Sequence, residues 1–124
     1  MLTLARCGTN DLARARTFYD AVAGLLGGSA VMERDDVVAY KGSNGGMFLV
    51  GKPFAGEENF GNGTQFGLAA PDQATVDAAH AKALEMGGTC EGKPGFRGPE
   101  EMGFYACYVR DLDGNKLAAF TMTK

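Results

Sequence analysis

Histidine is almost absent from this chain of 124 residues, which has one, His80, and no tryptophan. A metal site that needs two or more histidines of one chain is therefore excluded. A Ser-His-Asp or Cys-His arrangement would have to use His80. The apolar periodicity around residue 80 predicts a helix, with His80 near its middle and away from the interior of the fold. We expect a structural role for this histidine.

The chain also lacks an excess of positive charge, since 12 Lys and Arg stand against 15 Asp and Glu. The net charge of −3 makes nucleic acid and anionic membranes poor partners. No apolar run approaches the roughly 20 residues of a membrane-spanning helix. The first residues, Met1–Arg6, lack the long apolar stretch of a signal peptide. We therefore expect a cytoplasmic protein.

Cysteine is sparse, with Cys7, Cys90 and Cys107 far apart and no Cys-x-x-Cys pair. An odd number of widely spaced cysteines predicts reduced thiols rather than a disulfide framework or a zinc site. Cys107 has no histidine near it in the sequence, which disfavours a catalytic role.

Glycine, in contrast, is abundant, with 19 residues concentrated in four clusters, 42–46, 51–63, 87–88 and 92–103. Such clusters separate short strands by turns. The length and the 45% of hydrophobic residues fit one domain with its own core, covering residues 1–124.

The first half of the chain, 1–51, predicts one strand, one helix and three further strands. Apolar residues three and four apart predict the helix over Leu12–Leu26, with Asn10 as its N-cap and Gly27-Gly28 at its end. The Asn44-Gly45 pair predicts a tight turn before the last strand. The predicted strands are 2–8, 29–34, 37–41 and 47–51.

Residues 52–63 form a predicted glycine-rich linker, and the same pattern then returns in residues 64–124. A strand over 64–69 precedes a helix from Pro71 to about Met86. A short strand over 89–91, a glycine-rich loop over 92–103 and two strands around Asp113-Gly114 follow. Helix starts and ends recur at offsets of about 60 residues, which predicts internal duplication.

Two such units predict an α+β fold with two tandem βαβββ modules related by pseudo-two-fold symmetry. Each helix would cover the convex face of a curved mixed sheet, and the sheets would surround a central cavity. Strand alternation would then place Arg6 on the same face as Leu4, towards the cavity. The sequence does not settle which face of strand 104–110 lines it.

Two segments resemble the vicinal oxygen chelate superfamily, which includes glyoxalases, bleomycin-resistance proteins and extradiol dioxygenases. The first, Gly8–Asp20, is similar to the strand-to-helix entry of that family, with its acidic-Leu start and Phe-Tyr pair. The second, Tyr108–Leu117, is similar to the closing hairpin, although Leu112 replaces the usual proline of Asp-Pro-Asp-Gly. Together with the duplication, this resemblance implies the paired βαβββ fold over almost the whole chain.

The resemblance also implies where metal ligands would stand. Metal-dependent members carry His or Glu at positions that correspond here to Leu4, Gln65, Ala118 and either Phe48 or Leu49. Only Gln65 offers an oxygen, and one amide holds Zn or Fe poorly. We therefore expect no metal and no other cofactor, and a divalent metal only if this alignment of positions is wrong.

We expect a noncovalent site for a small, mostly apolar molecule, as in bleomycin-resistance members. Arg6 could clamp a carboxylate, and the Phe-Arg pair of loop 92–103 could close over the ligand. The alternatives without a ligand are that Arg6 is an exposed arginine at the rim and that loop 92–103 is an ordinary connection. The candidate ligand-binding residues are Leu4, Arg6, Phe48, Gln65, Phe96, Arg97, Ala118 and Phe120.

Two other functions stay open at this stage. One is a metal-dependent lyase, thiol transferase or dioxygenase with unusual ligands. The other is an interaction module whose central space is filled by side chains. We also expect a homodimer, because exposed strand edges are commonly protected by pairing.

Overall fold

A computed structural model, which describes residues 1–122, folds each half of the chain into one βαβββ module. The first module comprises β1 (Leu4–Gly8), α1 (Leu12–Leu25), β2 (Ser29–Glu33), β3 (Val37–Lys41) and β4 (Met47–Gly51). The second comprises β5 (Phe66–Ala69), α2 (Gln73–Glu85), β6 (Thr89–Phe96), β7 (Phe104–Arg110) and β8 (Lys116–Met122). A single 3-10 turn, Glu100–Met102, precedes β7. Neither helix in the described part is long and apolar enough to cross a membrane.

The two four-stranded sheets have equivalent strand orders, β1-β4-β3-β2 and β5-β8-β7-β6. In each module the first strand pairs with the last in parallel, and the other pairs are antiparallel. The predicted α+β fold of two tandem modules is therefore confirmed. The first strand of each module is paired on one side only, so β1 and β5 each keep a free edge.

Helix α1 begins at Leu12 as predicted, but its N-cap lies one residue later than the sequence indicated. Its N-cap is Asp11, whose Oδ1 accepts the backbone N–H of Arg14 at 3.0 Å. Asn10 was the predicted cap, but its Oδ1 accepts the N–H of Glu58 in the linker at 2.8 Å. Both residue types suit a cap, and the long-range contact to the linker decides which one serves.

Strand β6 is longer than predicted. The sequence favoured a strand over 89–91 and a loop over 92–103, whereas β6 continues to Phe96. Its pairing with β7 shifts register between Cys90 and Gly92 and again between Gly92 and Gly95. Because β6 is an edge strand, it tolerates Pro94 and these irregularities.

The helix-facing sides of both sheets share one core. Phe18, Tyr19 and Val22 of α1 pack there with Val50 of β4 and Leu117 of β8. Phe18 and Tyr19 are 0% and 1% exposed, so α1 is wedged between elements of both modules. The modules are thus joined by apolar packing as well as by the linker.

A buried carboxylate also joins the modules. The carboxylate of Asp111, 6% exposed, accepts the O–H of Tyr19 at 2.5 Å and the backbone N–H groups of Asp113 and Asn115. Asn115 in turn donates from Nδ2 to the carbonyl of Gly8, at the end of β1. Asp111 therefore shapes the β7–β8 turn and fixes that turn to the first module.

Candidate functional site

The alternation of β1 separates its side chains as predicted. Cys7 is 5% exposed and lies in the core, while Leu4 is 49% exposed on the opposite face and Arg6 is exposed with it. The Nη2 of Arg6 donates to the carbonyl of Lys52 at 2.8 Å, so its guanidinium is already engaged with the linker.

The register of β4 separates Phe48 from Leu49. Leu49 pairs with Arg6 and shares its face. Phe48 points to the core, with its ring 5.4 Å from the rings of both Tyr19 and Phe66. Leu49 is therefore the residue of β4 that stands on the face of Leu4.

A cavity of about 580 Å³ opens between the modules, alongside the free edges of β1 and β5. Aromatic and aliphatic side chains of the core form much of its wall, namely Tyr19, Ala23, Leu26, Tyr40, Phe48, Phe66 and Leu68. Leu4 and Gln65 border it as well. Of the eight predicted ligand-binding residues, the structure thus brings Leu4, Phe48 and Gln65 to this cavity.

The two tyrosine hydroxyls near the cavity are occupied within the protein. Tyr19 donates to Asp111, and Tyr40 donates to Asp20 Oδ1 at 2.6 Å. Burial, together with these carboxylates, raises the pKa of both phenols, so both stay protonated donors. Their rings contribute apolar wall, and other groups must recognise a polar ligand end.

Backbone groups at the free strand edges can supply that recognition. Thr3 accepts the N–H of Met47 from β4, and Ala70 donates to Phe120 of β8. Since successive residues of a strand point their N–H and C=O groups to opposite sides, those of Leu4 and Gly67 point to the free edges. Gln65, the residue before β5, also borders the cavity, as do Lys41 and Asn44, and all three add polar side chains.

Three of the other predicted residues lie on the second sheet, on its face away from the helices. Ala118 is buried there, and Phe120 packs its ring 5.7 Å from that of Phe104. The guanidinium carbon of Arg97 lies 5.3 Å from the ring centroid of Tyr108, which pairs with Ala118. Arg97 Nη2 also donates to the carbonyl of Lys93 at 2.6 Å. None of these three lines the cavity.

Phe96 lies on the opposite face of that sheet. It pairs with Tyr105, and their rings make an edge contact at 5.3 Å. Tyr105 donates to Asp77 of α2 at 2.7 Å, so this is the helix side. Tyr105 and Cys107 therefore face α2, and neither face of strand 104–110 contributes a residue to the cavity.

The three cysteines differ sharply in environment. Burial and, after it, the charge of Asp111 raise the pKa of Cys7 to about 12, and burial raises the pKa of Cys107. Cys90 is exposed, and its Sγ lies 3.2 Å from Nε2 of His80. No pattern in the sequence brings these two residues together, because they belong to α2 and β6 and meet only where that helix packs on that strand.

The positions that correspond to family metal ligands do not fit a metal. Leu4, Leu49 and Ala118 have no donor atom, and Gln65 has one amide oxygen. Residues 1–122 contain no group of three or more His, Cys, Asp or Glu side chains able to hold a metal ion. We therefore assign no chemistry here to a metal.

Comparison with known proteins places this fold in a family. The sequence model of the Glyoxalase/Bleomycin resistance protein/Dioxygenase superfamily matches residues 4–119. Among curated proteins, none matches the sequence significantly.

Solved structures give the same result. A glyoxalase/bleomycin resistance protein from Albidiferax ferrireducens T118 is 36% identical, with 99% of each chain covered and a TM-score of 0.88. A lactoylglutathione lyase from Agrobacterium tumefaciens is 22% identical over 98% of this chain and 92% of that one, with a TM-score of 0.70. A glyoxalase-related enzyme from Fulvimarina pelagi is 16% identical over 98% and 87%, with a TM-score of 0.76. The last two show likeness of fold alone. This chain belongs to the Glyoxalase/Bleomycin resistance protein/Dioxygenase superfamily.

Proposed function

We propose that this protein binds a small, mostly apolar molecule noncovalently in the cavity between its modules. The observation that carries the proposal is the cavity itself, about 580 Å³ with the rings of Tyr19, Phe48 and Phe66 in its wall. Small-molecule sites commonly have volumes of roughly 300–1,000 Å³, apolar walls and few polar groups.

The distribution of polar groups supports the same kind of ligand. Gln65, Lys41 and the edge amides border the cavity, whereas the tyrosine hydroxyls are already bonded to carboxylates. A ligand with an apolar body and one polar end matches this arrangement. Arg6, predicted to clamp a carboxylate, and Arg97, predicted to close over the ligand, do not line this cavity and bond backbone carbonyls instead.

The alternative is a metal-dependent lyase, thiol transferase or dioxygenase. The side chains at Leu4, Leu49, Gln65 and Ala118 disfavour it, because three of the four have no donor. Elemental analysis of the purified protein separates the two functions. About one divalent metal per chain, with activity lost on chelation, would make the enzyme the better interpretation.

The binding proposal is tested by filling the cavity from its wall. Ala23→Leu adds a branched side chain where α1 borders the cavity, and Ala74→Leu makes the same change at an exposed position of α2. The probe is 1-anilinonaphthalene-8-sulfonate, which has an aromatic body and one anionic end. We expect saturable binding near one per chain, weakened about tenfold by Ala23→Leu and unchanged by Ala74→Leu.

Equal binding to both variants, or no saturable binding to the unmodified protein, would contradict the proposal. Native mass spectrometry of the protein as purified provides an independent measurement. An organic molecule bound one per chain to the unmodified protein and absent from Ala23→Leu would support the proposal. The spectrum would also give the mass of that molecule.

A further inference from the structure

The pair formed by Cys90 and His80 lies apart from the cavity. Cys90 belongs to β6 and His80 to α2, and neither residue lines the space between the modules. Sγ and Nε2 are 3.2 Å apart, within hydrogen-bond distance for sulfur. Cys90 is exposed, while Cys7 and Cys107 are buried, so a reagent in solution can reach one thiol beside a base.

We propose that Cys90 is a modification site, a thiol that His80 activates for exchange with small disulfides. The reactive form of cysteine is the thiolate, and a neighbouring imidazole that accepts the thiol proton is the common way to generate it. The two elements hold these side chains together, because Cys90 pairs with Val109 of β7 on the face that packs against α2.

The groups around His80 favour the base form of its ring. Partial burial lowers the pKa of His80, the charge of Lys93 on β6 lowers it further, and Asp77 on its own helix opposes them. The hydroxyl of Tyr105 on β7 donates a hydrogen bond to Asp77. This bond weakens the effect of the Asp77 charge on the pKa of His80. The imidazole is therefore neutral at pH 7 and able to accept a proton at Nε2 when the other ring nitrogen carries the hydrogen.

The exchange step balances without a further reagent. As the proton of Cys90 passes to His80, Sγ attacks one sulfur of the disulfide R–S–S–R. An S–S bond forms to Cys90, and the original S–S bond breaks. The released thiolate takes the proton from the imidazolium and leaves as R–SH. Cys90 is oxidised to a mixed disulfide, and one sulfur of the reagent is reduced.

The test uses 2-hydroxyethyl disulfide, a neutral probe, and intact-mass spectrometry of the native protein over time. We expect one adduct per chain, mapped to Cys90 and absent from Cys90→Ser over the same time. His80→Gln should slow the reaction at pH 7 about tenfold or more. Ala78→Gln, at an exposed position of the same helix, should stay within about twofold of the unmodified protein.

The pH dependence distinguishes activation from simple exposure. The rates of the unmodified protein and His80→Gln should differ most at pH 6–7 and converge in alkaline solution, where hydroxide removes a thiol proton without help from an imidazole. Rates within twofold at every pH, an adduct on Cys7 or Cys107, or no adduct would each overturn the proposal.

A second measurement does not depend on the folding of His80→Gln. His80 is the single histidine of the chain, so one imidazole signal can be followed by NMR as the pH is varied. Cys90→Ser, or the mixed disulfide at Cys90, should shift its titration midpoint. An unchanged midpoint in both would show that the thiol and the imidazole are not coupled.

Discussion

At the scale of single residues, Glu58 carries an electrostatic cost where the linker passes over the first module. Glu58 lies over Gly8, and its Oε1 is buried with no hydrogen-bond partner within residues 1–122. Burial and the charges of Asp113 and Asp111 raise the pKa of Glu58. The folded state therefore disfavours the ionised form of this side chain.

Glu58→Gln should consequently stabilise the protein slightly at pH 7, by well under about 1 kcal/mol, because solvent screens a side chain that is only partly buried. The sign follows from the raised pKa. The folded state binds the proton more tightly than the unfolded state, so the cost is present above the folded pKa and disappears as the pH falls below the ordinary value. Thermal unfolding at pH 7 measures the stabilisation, and thermal unfolding at pH 4 measures its disappearance. The exposed neighbour Glu57→Gln serves as control, and an equal effect at both pH values would contradict the assignment.

Strand alternation made the orientation of side chains within β1 predictable, as the opposite burial of Cys7 and Leu4 illustrates. The choice between Phe48 and Leu49 required the register of β4, which depends on a turn that can shift by one residue. The Cys90–His80 contact could not be predicted, because it depends on how α2 lies across β6. Pairs between elements follow from packing and leave no periodic signal in the sequence.

At the level of elements, the chain distinguishes strongly between two adjacent capping residues. Asp11 caps α1, while Asn10 binds the linker through both its Oδ1 and its Nδ2. The second module has an equivalent cap, since Asp72 accepts the N–H of Thr75 at 2.8 Å. The helices were predictable from periodicity, but the choice of cap was not, because the contact of Asn10 is 48 residues away.

Asp11→Ala should destabilise the protein by about 1 kcal/mol, and Asp11→Asn should restore most of that loss, because Asn is as good a cap as Asp. Urea unfolding measures the change. Amide hydrogen exchange locates it, with faster exchange expected at Arg14 in Asp11→Ala. In Asn10→Ala the amide of Glu58 should exchange faster instead. Faster exchange at Arg14 in Asn10→Ala would restore Asn10 as the cap.

For the molecule as a whole, internal duplication of the sequence was the most informative signal, because it predicted two equivalent sheets. The cavity was harder to predict. Tyr19 of α1 and Phe66 of β5 both line the cavity, because residues of the two modules border it together. A cavity between two modules depends on how the modules pack, and the sequence pattern of neither module predicts it.

The homodimer expected from the sequence stays a prediction. The free edges of β1 and β5, together with the exposed side chains of Leu2, Val31 and Met122, provide surface that pairing could cover. Light scattering at micromolar concentration should give twice the chain mass of 13.0 kDa. A particle of one chain mass at all concentrations would show that these surfaces remain exposed in solution.

The hydrogen bond from Asn115 to Gly8 has a consequence for the order of events during synthesis and folding. It closes a loop of 107 residues, and Leu117 belongs to the same core as Phe18. Strands of the first module cover part of the apolar side of α1, and the part that packs with Leu117 stays uncovered until β8 has left the ribosome. Contacts between residues far apart in the sequence slow folding, and they prolong the exposure of hydrophobic surface. The two modules therefore complete their shared core together, and we expect a nascent chain halted before β8 to be a preferred target for chaperones.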